Sequence, residues 1–221
     1  MKQNHFAHRG DRTNPTAGDG PLQGTTIALH PSFSVRDWPT EAGSRALAGY
    51  LALEDATVVH RLEAAGATLA GTTAMNELGL GVDRDGAAPA VSDGEADLAL
   101  VMDHMGEALI AAARCGLVGY KPSYGVISRF GLIGLVPSME CPGFIAQDPS
   151  RIRAAVAAAC GDDDQDYTLS PTMPDFDTPT DISSDSSGEC RLGVATEARA
   201  LLDPGDREAV RAALSGLAPQ G

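Results

Sequence analysis

Residues 55–71 read DATVVHRLEAAGATLAG and decide the fold class. Val58, Val59 and Leu62 follow a helical spacing, and Gly66 stands where a helix C-cap is expected. The apolar run 67–71 begins directly after this glycine and predicts a buried strand. A helix that leads within a few residues into a buried strand is typical of α/β proteins.

The flanking segments extend this pattern in both directions. Residues 25–29, TTIAL, predict a short strand that is entered through Gly24, and residues 90–100 predict a helix end followed by a strand. Helices are predicted at the Ala-rich segment 151–160 and at 207–217. Strands that alternate with helices predict an α/β fold with a largely parallel or mixed sheet flanked by helices.

The 221 residues are enough for one domain, with or without tails. Residues 1–19 are polar and rich in glycine, without the apolar core of a secretory signal, so we expect a disordered leader and a cytoplasmic protein. The domain is expected to span residues 20–221. Within it, residues 161–189 combine acidic residues, prolines and a Ser/Asp run, which predicts a mobile acidic loop. No apolar run reaches the length of a membrane span.

The charge balance is strongly acidic, with a formal net charge of −14 and only two lysines, Lys2 and Lys121. Direct binding of nucleic acid is not expected, because phosphate contacts need a basic patch. One interpretation is an acidic face for a basic partner. The favoured interpretation is a halophilic protein, whose self-repulsion is screened by a salt-rich cytoplasm.

The chain contains four cysteines, and their spacing excludes the common metal and redox motifs. Cys115, Cys141, Cys160 and Cys190 form no C-x-x-C pair, so we expect free thiols, no metal site and no cofactor.

Four segments carry a family resemblance. They are 20–30 (GPLQGTTIALH), 55–77, 94–132, which includes CGLVGYKPSYG and SRFGL, and 191–194 (RLGV). In this order they resemble the motifs of the amidase-signature family. SRFGL is similar to the motif that marks the branch of the glutamyl-tRNA(Gln)/aspartyl-tRNA(Asn) amidotransferase A subunits. The resemblance covers about residues 20–217 and implies the N-terminal half of a longer, mixed-sheet fold.

The resemblance also implies a chemistry and the residues that should perform it. In the family, a serine attacks an amide, a second serine relays its proton to a neutral lysine, and backbone N–H groups hold the oxyanion. Counting from the motifs, His30 stands at the lysine position, Glu107 at the nucleophile and Asp83 at the relay serine. A family segment is missing before the loop that holds Asp83, so this position depends on a gap-free count. All three catalytic positions are therefore expected to be degenerate.

These replacements have two interpretations. The polar residues that could converge in the old pocket are His30, Asp83, Asp103, His104 and Glu107. Together they are a candidate acid–base or metal-binding set. The favoured alternative is drift in a pocket without chemical demand, where Asp103 and Gly106 hold the backbone turn and Lys121 is structural. No metal-ligand spacing is present.

The sequence thus predicts an inactive amidase-like scaffold or regulatory subunit. A separately encoded C-terminal half, self-association or another subunit would cover the open side of the truncated sheet. The alternatives are an amide or ester hydrolase with an unconventional site, and a decaying gene copy without a selected role.

Overall fold

The computed structural model describes residues 5–13, 20–172 and 200–217. Its strands and helices are, in chain order, β1 (Phe6–Thr13), β2 (Thr26–Leu29), α1 (Thr57–Ala64), β3 (Thr68–Thr73), α2 (Ala87–Ser92), β4 (Leu98–Asp103), α3 (Glu107–Arg114), β5 (Val118–Tyr120), β6 (Cys141–Ala146), α4 (Pro149–Ala159) and α5 (Pro204–Leu217). Short 3-10 helices cover Arg45–Leu47 and Glu77–Gly79. None of the described helices has the length and apolar character needed to cross a bilayer.

Two compact units divide the chain, Met1–Phe176 and Asp177–Gly221. The described part of the second unit contains α5, where the Arg207 guanidinium donates to the carbonyl oxygen of Leu202 at 2.9 Å. The segment 191–194, which resembles a family strand, lies outside the described residues.

Six strands of the first unit form one sheet among the described residues, in the order β1-β3-β2-β4-β6-β5. β2 pairs in parallel with β3 and β4, whereas β1 pairs antiparallel with β3 and β6 pairs antiparallel with β4 and β5. The predicted α/β fold with a mixed sheet is therefore confirmed.

The two faces of the sheet bury separate apolar clusters. Ile27 and Leu29 belong to the cluster that includes α1 and α4, whereas Ala28 points into the cluster of α2 and α3. This alternation follows from the two-residue period of a strand. Because helices cover both faces, all six residues of the central strand β4 are buried.

Strand β1 corrects the expectation of a disordered leader over residues 1–19. Residues 6–13 form this edge strand, so the expectation is wrong for them. Phe6 is buried, and the Arg12 guanidinium forms ion pairs with the carboxylates of Glu63 and Asp55. Polar, charged residues are common on edge strands, and these made the segment resemble a leader. Residues 1–4 and 14–19 lie outside the described part of the chain.

The start of the acidic segment 161–189 is attached to the domain by its aspartates. Asp163 Oδ2 accepts hydrogen bonds from the hydroxyls of Thr57, at 2.6 Å, and Ser128. Burial raises the pKa of Asp163, but these hydrogen bonds outweigh it and hold the pKa well below its usual range. Residues 173–189 lie outside the described residues, and the mobility of that stretch stays a prediction.

Candidate active site

The candidate site lies where strands β2 and β4 end side by side. His30 directly follows β2, and Asp103 is the last residue of the parallel strand β4. The turn after Asp103 leads into α3, whose first residue is Glu107. The carboxyl ends of parallel strands are the usual place for a site in an open α/β sheet.

A small cavity joins two of the residues that the sequence singles out. His30 and Glu107 both line it, together with Met75, Asn76, Gly79, Gly81, Val82, Arg84, Asp85, Val101, Ala108 and Ala111. The cavity has a volume of about 20 Å³. That space is large enough for one water molecule and is far smaller than the pockets that bind small-molecule ligands.

Both ring nitrogens of His30 are engaged. The backbone N–H of Met102 donates to Nδ1 at 3.2 Å, and Nε2 lies 3.0 Å from Asp85 Oδ1. Because an amide can only donate, a neutral ring carries its proton on Nε2 and donates it to Asp85. The imidazole is 9% exposed and links β2, β4 and the loop before α2. It therefore has no free nitrogen with which to take a proton from a nucleophile.

Asp85, rather than Asp83, is the carboxylate beside His30. Asp83 is exposed and does not line the cavity. Asp85 also accepts the backbone N–H groups of Ala87 and Ala88, at 3.3 and 2.9 Å, at the start of α2. Burial raises the pKa of Asp85, but the hydrogen bonds from His30 and the two amides outweigh it and place the pKa below its ordinary value. The sequence signal that could have found it is an aspartate two residues before an apolar helix.

Glu107 is hydrogen-bonded to the turn that precedes it. Its Oε2 accepts the backbone N–H of His104 at 2.9 Å and that of Met105 at 2.7 Å. A carboxylate at this place gives a partner to two amides of the turn before the helix, and its negative charge lies in the first turn of α3, where the helix dipole favours it. The side chain is thus committed to holding the turn.

Asp103 and Gly106 shape the same turn and do not line the cavity. Asp103 is fully buried, and its carboxylate accepts the N–H of Gly106 at 2.8 Å and that of Ala108 at 2.9 Å. Gly106 has φ 109°, a left-handed conformation that favours glycine. The Lys121 ammonium lies 2.8 Å from Asp103 Oδ1 and also donates to the carbonyl oxygen of His104. These contacts assign Lys121 a structural role.

The His104 ring is buried and does not line the cavity. Its side chain is 1% exposed, and neither ring nitrogen has a hydrogen-bond partner within the described residues. Nε2 lies 3.5 Å from Glu140 Oε1, beyond ordinary hydrogen-bond length. The structure therefore does not bring His104 together with His30 and Glu107.

Metal ligands are not grouped in the described part of the chain. Within residues 5–13, 20–172 and 200–217, no three His, Cys, Asp or Glu side chains are arranged to hold a metal ion. Cys115, Cys141 and Cys160 are free thiols, and burial raises the pKa of Cys160 to about 11.

Comparisons with known proteins give the family of this fold. The family model "Amidase" matches residues 4–85 and 85–221. The A subunit of the glutamyl-tRNA(Gln) amidotransferase from Halobacterium salinarum is 36% identical over 227 aligned positions, which cover 93% of this chain and 53% of that protein. Its counterpart from Natronomonas pharaonis is 34% identical, over 98% of this chain and 56% of that protein.

A solved structure agrees with these sequences. The A subunit of the same enzyme from Thermotoga maritima superimposes with a TM-score of 0.68 at 28% identity, over 75% of this chain and 41% of that one. The chain thus spans about half the length of the curated relatives that it matches. It belongs to the amidase-signature family and is similar, over that half, to the A subunits of glutamyl-tRNA(Gln) amidotransferases.

Proposed function

We propose that this chain does not cleave amides by the serine–serine–lysine route and acts as a non-catalytic scaffold or regulatory subunit. The observation that carries the proposal is the Glu107 carboxylate, whose Oε2 accepts the N–H groups of His104 and Met105. Glu107 stands at the position where the family motif holds the nucleophilic serine.

The Glu107 carboxylate opposes amide cleavage in three ways. It is a poor substitute for an activated hydroxyl, and its negative charge would repel the oxyanion that forms during attack. It also occupies two backbone N–H groups beside the position at which a nucleophile would act. Donors that are already used cannot stabilise a developing charge.

The contacts of His30, which stands at the position of the family's basic lysine, support the same proposal. A base must hold a lone pair within reach of the nucleophile's proton. One nitrogen of His30 accepts from Met102 and the other meets Asp85, so both are used within the fold.

An amidase assay tests this proposal. The purified protein is incubated with glutamine, asparagine and simple amides, and ammonia release is measured. We expect no turnover above that of Glu107→Ala and His30→Ala, with exposed Glu54→Ala as the charge-matched control. Turnover that Glu107→Ala or His30→Ala abolishes, and that Glu54→Ala leaves intact, would contradict the proposal and support an unconventional hydrolase.

We propose further that strand β5 is the surface on which the partner docks. β5 ends the sheet, so its outer edge has no strand beside it among the described residues. A groove of about 400 Å³ runs beside it, with apolar walls from Val118 and Tyr120 of β5 and Ile152 and Val156 of α4. An unpaired edge next to an apolar groove suits the addition of a strand.

The proposed occupant is a polypeptide equivalent to the rest of the relatives' length. The chain matches 53% of the Halobacterium protein and 41% of the Thermotoga structure, so about half of each relative has no counterpart in the aligned residues. The relatives are subunits by name. That name supports assembly with an amidotransferase.

Sedimentation measures this docking. The remaining half of the Halobacterium protein is expressed separately and mixed with this chain. We expect a 1:1 complex, which Tyr120→Glu weakens and Tyr167→Glu, at a 96% exposed tyrosine away from the groove, does not. Two results would overturn the proposed occupant. One is that this chain stays a monomer in the presence of the added half; the other is that it forms a dimer that Tyr120→Glu does not affect.

We also propose that the acidic surface is an adaptation to high salt in the cytoplasm. The net charge of −14 with two lysines supports this, and two of the relatives come from Halobacterium and Natronomonas. The same charge argues against direct binding of nucleic acid.

A further inference from the structure

A second, larger cavity opens beside the carboxyl ends of β2 and β3. It has a volume of about 350 Å³, and its walls include His8 of β1, Pro31 after β2, and Thr72 and Thr73 of β3. Arg45 and Arg84 complete the wall from two separate loops. Apart from Met75 and Arg84, its lining differs from that of the small cavity beside His30.

The two arginines of this cavity differ from the other arginines of the described residues. Each of the others has at least one hydrogen bond, ion pair or other electrostatic interaction, as Arg12 does with Glu63 and Arg61 with Gly161. The guanidinium groups of Arg45 and Arg84 have none within the described part of the chain. With almost twice as many acids as bases in the sequence, two unpaired guanidinium groups on one cavity are unexpected.

Glu41 is the carboxylate on the same wall, and its charge is partly occupied. Its Oε1 accepts the backbone N–H of Gly49 at 2.8 Å. The cavity therefore holds two cations and one anion, which leaves a local excess of positive charge. A guanidinium group binds phosphate or carboxylate oxygens through paired N–H donors.

The loop that carries Arg84 is where this chain departs from the family. The motif spacing indicates a missing segment before it, and the match to the family model breaks into two pieces at residue 85. The Arg84 side of the cavity is therefore built by a part of the chain that differs from the family pattern.

We propose that this cavity binds a small molecule through an oxyanion group, a phosphate or a carboxylate, held by Arg45 and Arg84. The volume fits a compact metabolite rather than a polymer. The site is separate from the degenerate amidase positions and does not depend on their loss.

Histidine NMR tests the binding of anions to this cavity. The chain has five histidines; His8 lines the cavity, whereas His60 is exposed on α1 and serves as an internal control. Inorganic phosphate and citrate are titrated separately at low salt. We expect at least one to shift the His8 ring signal with saturation while the His60 signal stays in place, and the better ligand distinguishes a phosphate site from a carboxylate site.

Three variants of cavity residues and one control variant test whether the arginines cause that shift. Arg45→Gln and Arg84→Gln should each weaken binding about tenfold or more, since each removes charged hydrogen bonds. Glu41→Gln should tighten it, because a repelling charge is removed. Arg211→Gln, an equal charge change on exposed α5, should leave binding unchanged. Absence of saturation with both anions, or equal weakening by Arg211→Gln, would overturn the proposal.

Discussion

Replacing Glu107 by alanine measures whether this residue holds the turn. The substitution removes a carboxylate that accepts two backbone N–H groups, at 2.9 and 2.7 Å, just before α3. Loss of a capping side chain costs about 0.5–2 kcal/mol. Because Glu107 accepts two hydrogen bonds, one of them from the exposed Met105 amide, we expect Glu107→Ala to lower the free energy of unfolding by about 1.5 kcal/mol. In a domain of this size the melting temperature should fall by about 3–6 °C.

Glu107→Gln separates the hydrogen bonds from the charge. The glutamine keeps an acceptor oxygen of similar reach but loses the favourable interaction of a negative charge with a helix N-terminus, about 0.3–1 kcal/mol. We therefore expect the free energy of unfolding of Glu107→Gln to lie between those of the unchanged protein and Glu107→Ala. Urea denaturation followed by circular dichroism gives all three free energies of unfolding.

Glu54→Ala is the control for this series, because it removes an equal charge from an exposed side chain in the same unit. If Glu107→Ala and Glu54→Ala destabilised the protein equally, the carboxylate would not be holding the turn. Its contacts with the two amides would then no longer support the proposal that the chain does not cleave amides.

Charged contacts elsewhere in the fold also set its stability. Arg12→Ala should lower the free energy of unfolding by about 3 kcal/mol in urea denaturation, because Glu63 would stay buried without its partner; a change below about 1 kcal/mol would show that β1 contributes little. Since the folded pKa of Asp85 lies below its ordinary value of 3.8, its stabilisation is full above that value and is lost as the pH falls through the folded pKa. The melting temperature of Asp85→Asn should therefore decrease less than that of the unchanged protein as the pH is lowered. An equal decrease in both proteins would contradict this. Raising KCl from about 0.1 M to about 1 M should raise the melting temperature as self-repulsion is screened; a fall would refute salt adaptation.

The elements with a clear hydrophobic period could be predicted from the sequence. The strand expected at 25–29 is β2, and the helix and strand expected over 55–71 are α1 and β3. In these segments local pattern and tertiary burial agree, so a single sequence suffices.

The two missed strands lack the local sequence pattern that predicts a strand. β6 lies between β4 and β5, yet it contains Pro142 and Gly143, two residues that argue against an interior strand. β1 is polar and gains its order from partners such as Glu63, which lies fifty-one positions away in sequence. Contacts at such a distance cannot be read from local pattern.

Contacts between residues that are distant in sequence also limit what could be predicted about the site. The placement of His30 after β2 and of Glu107 at the start of α3 follows from the strand and motif order, and both reach one cavity. Asp83 was placed by a count across a loop where a family segment is missing, and the carboxylate that contacts His30 comes two residues later, at Asp85. The direction of the His104 ring depends on packing around Glu140 and carries no sequence signal.

His30 and Glu107, which we propose stand in place of the family's catalytic groups, hold parts of the fold together through their hydrogen bonds. A charged lysine at position 30 could only donate, so the Met102 N–H that now donates to Nδ1 would lose its acceptor. A serine at position 107 is too short to replace a carboxylate that spans two amides of the preceding turn. Each return to the family residue would thus break buried or capping hydrogen bonds before it restored any chemistry. The proposed loss of activity therefore involves the packing at several positions, and a single substitution would not reverse it.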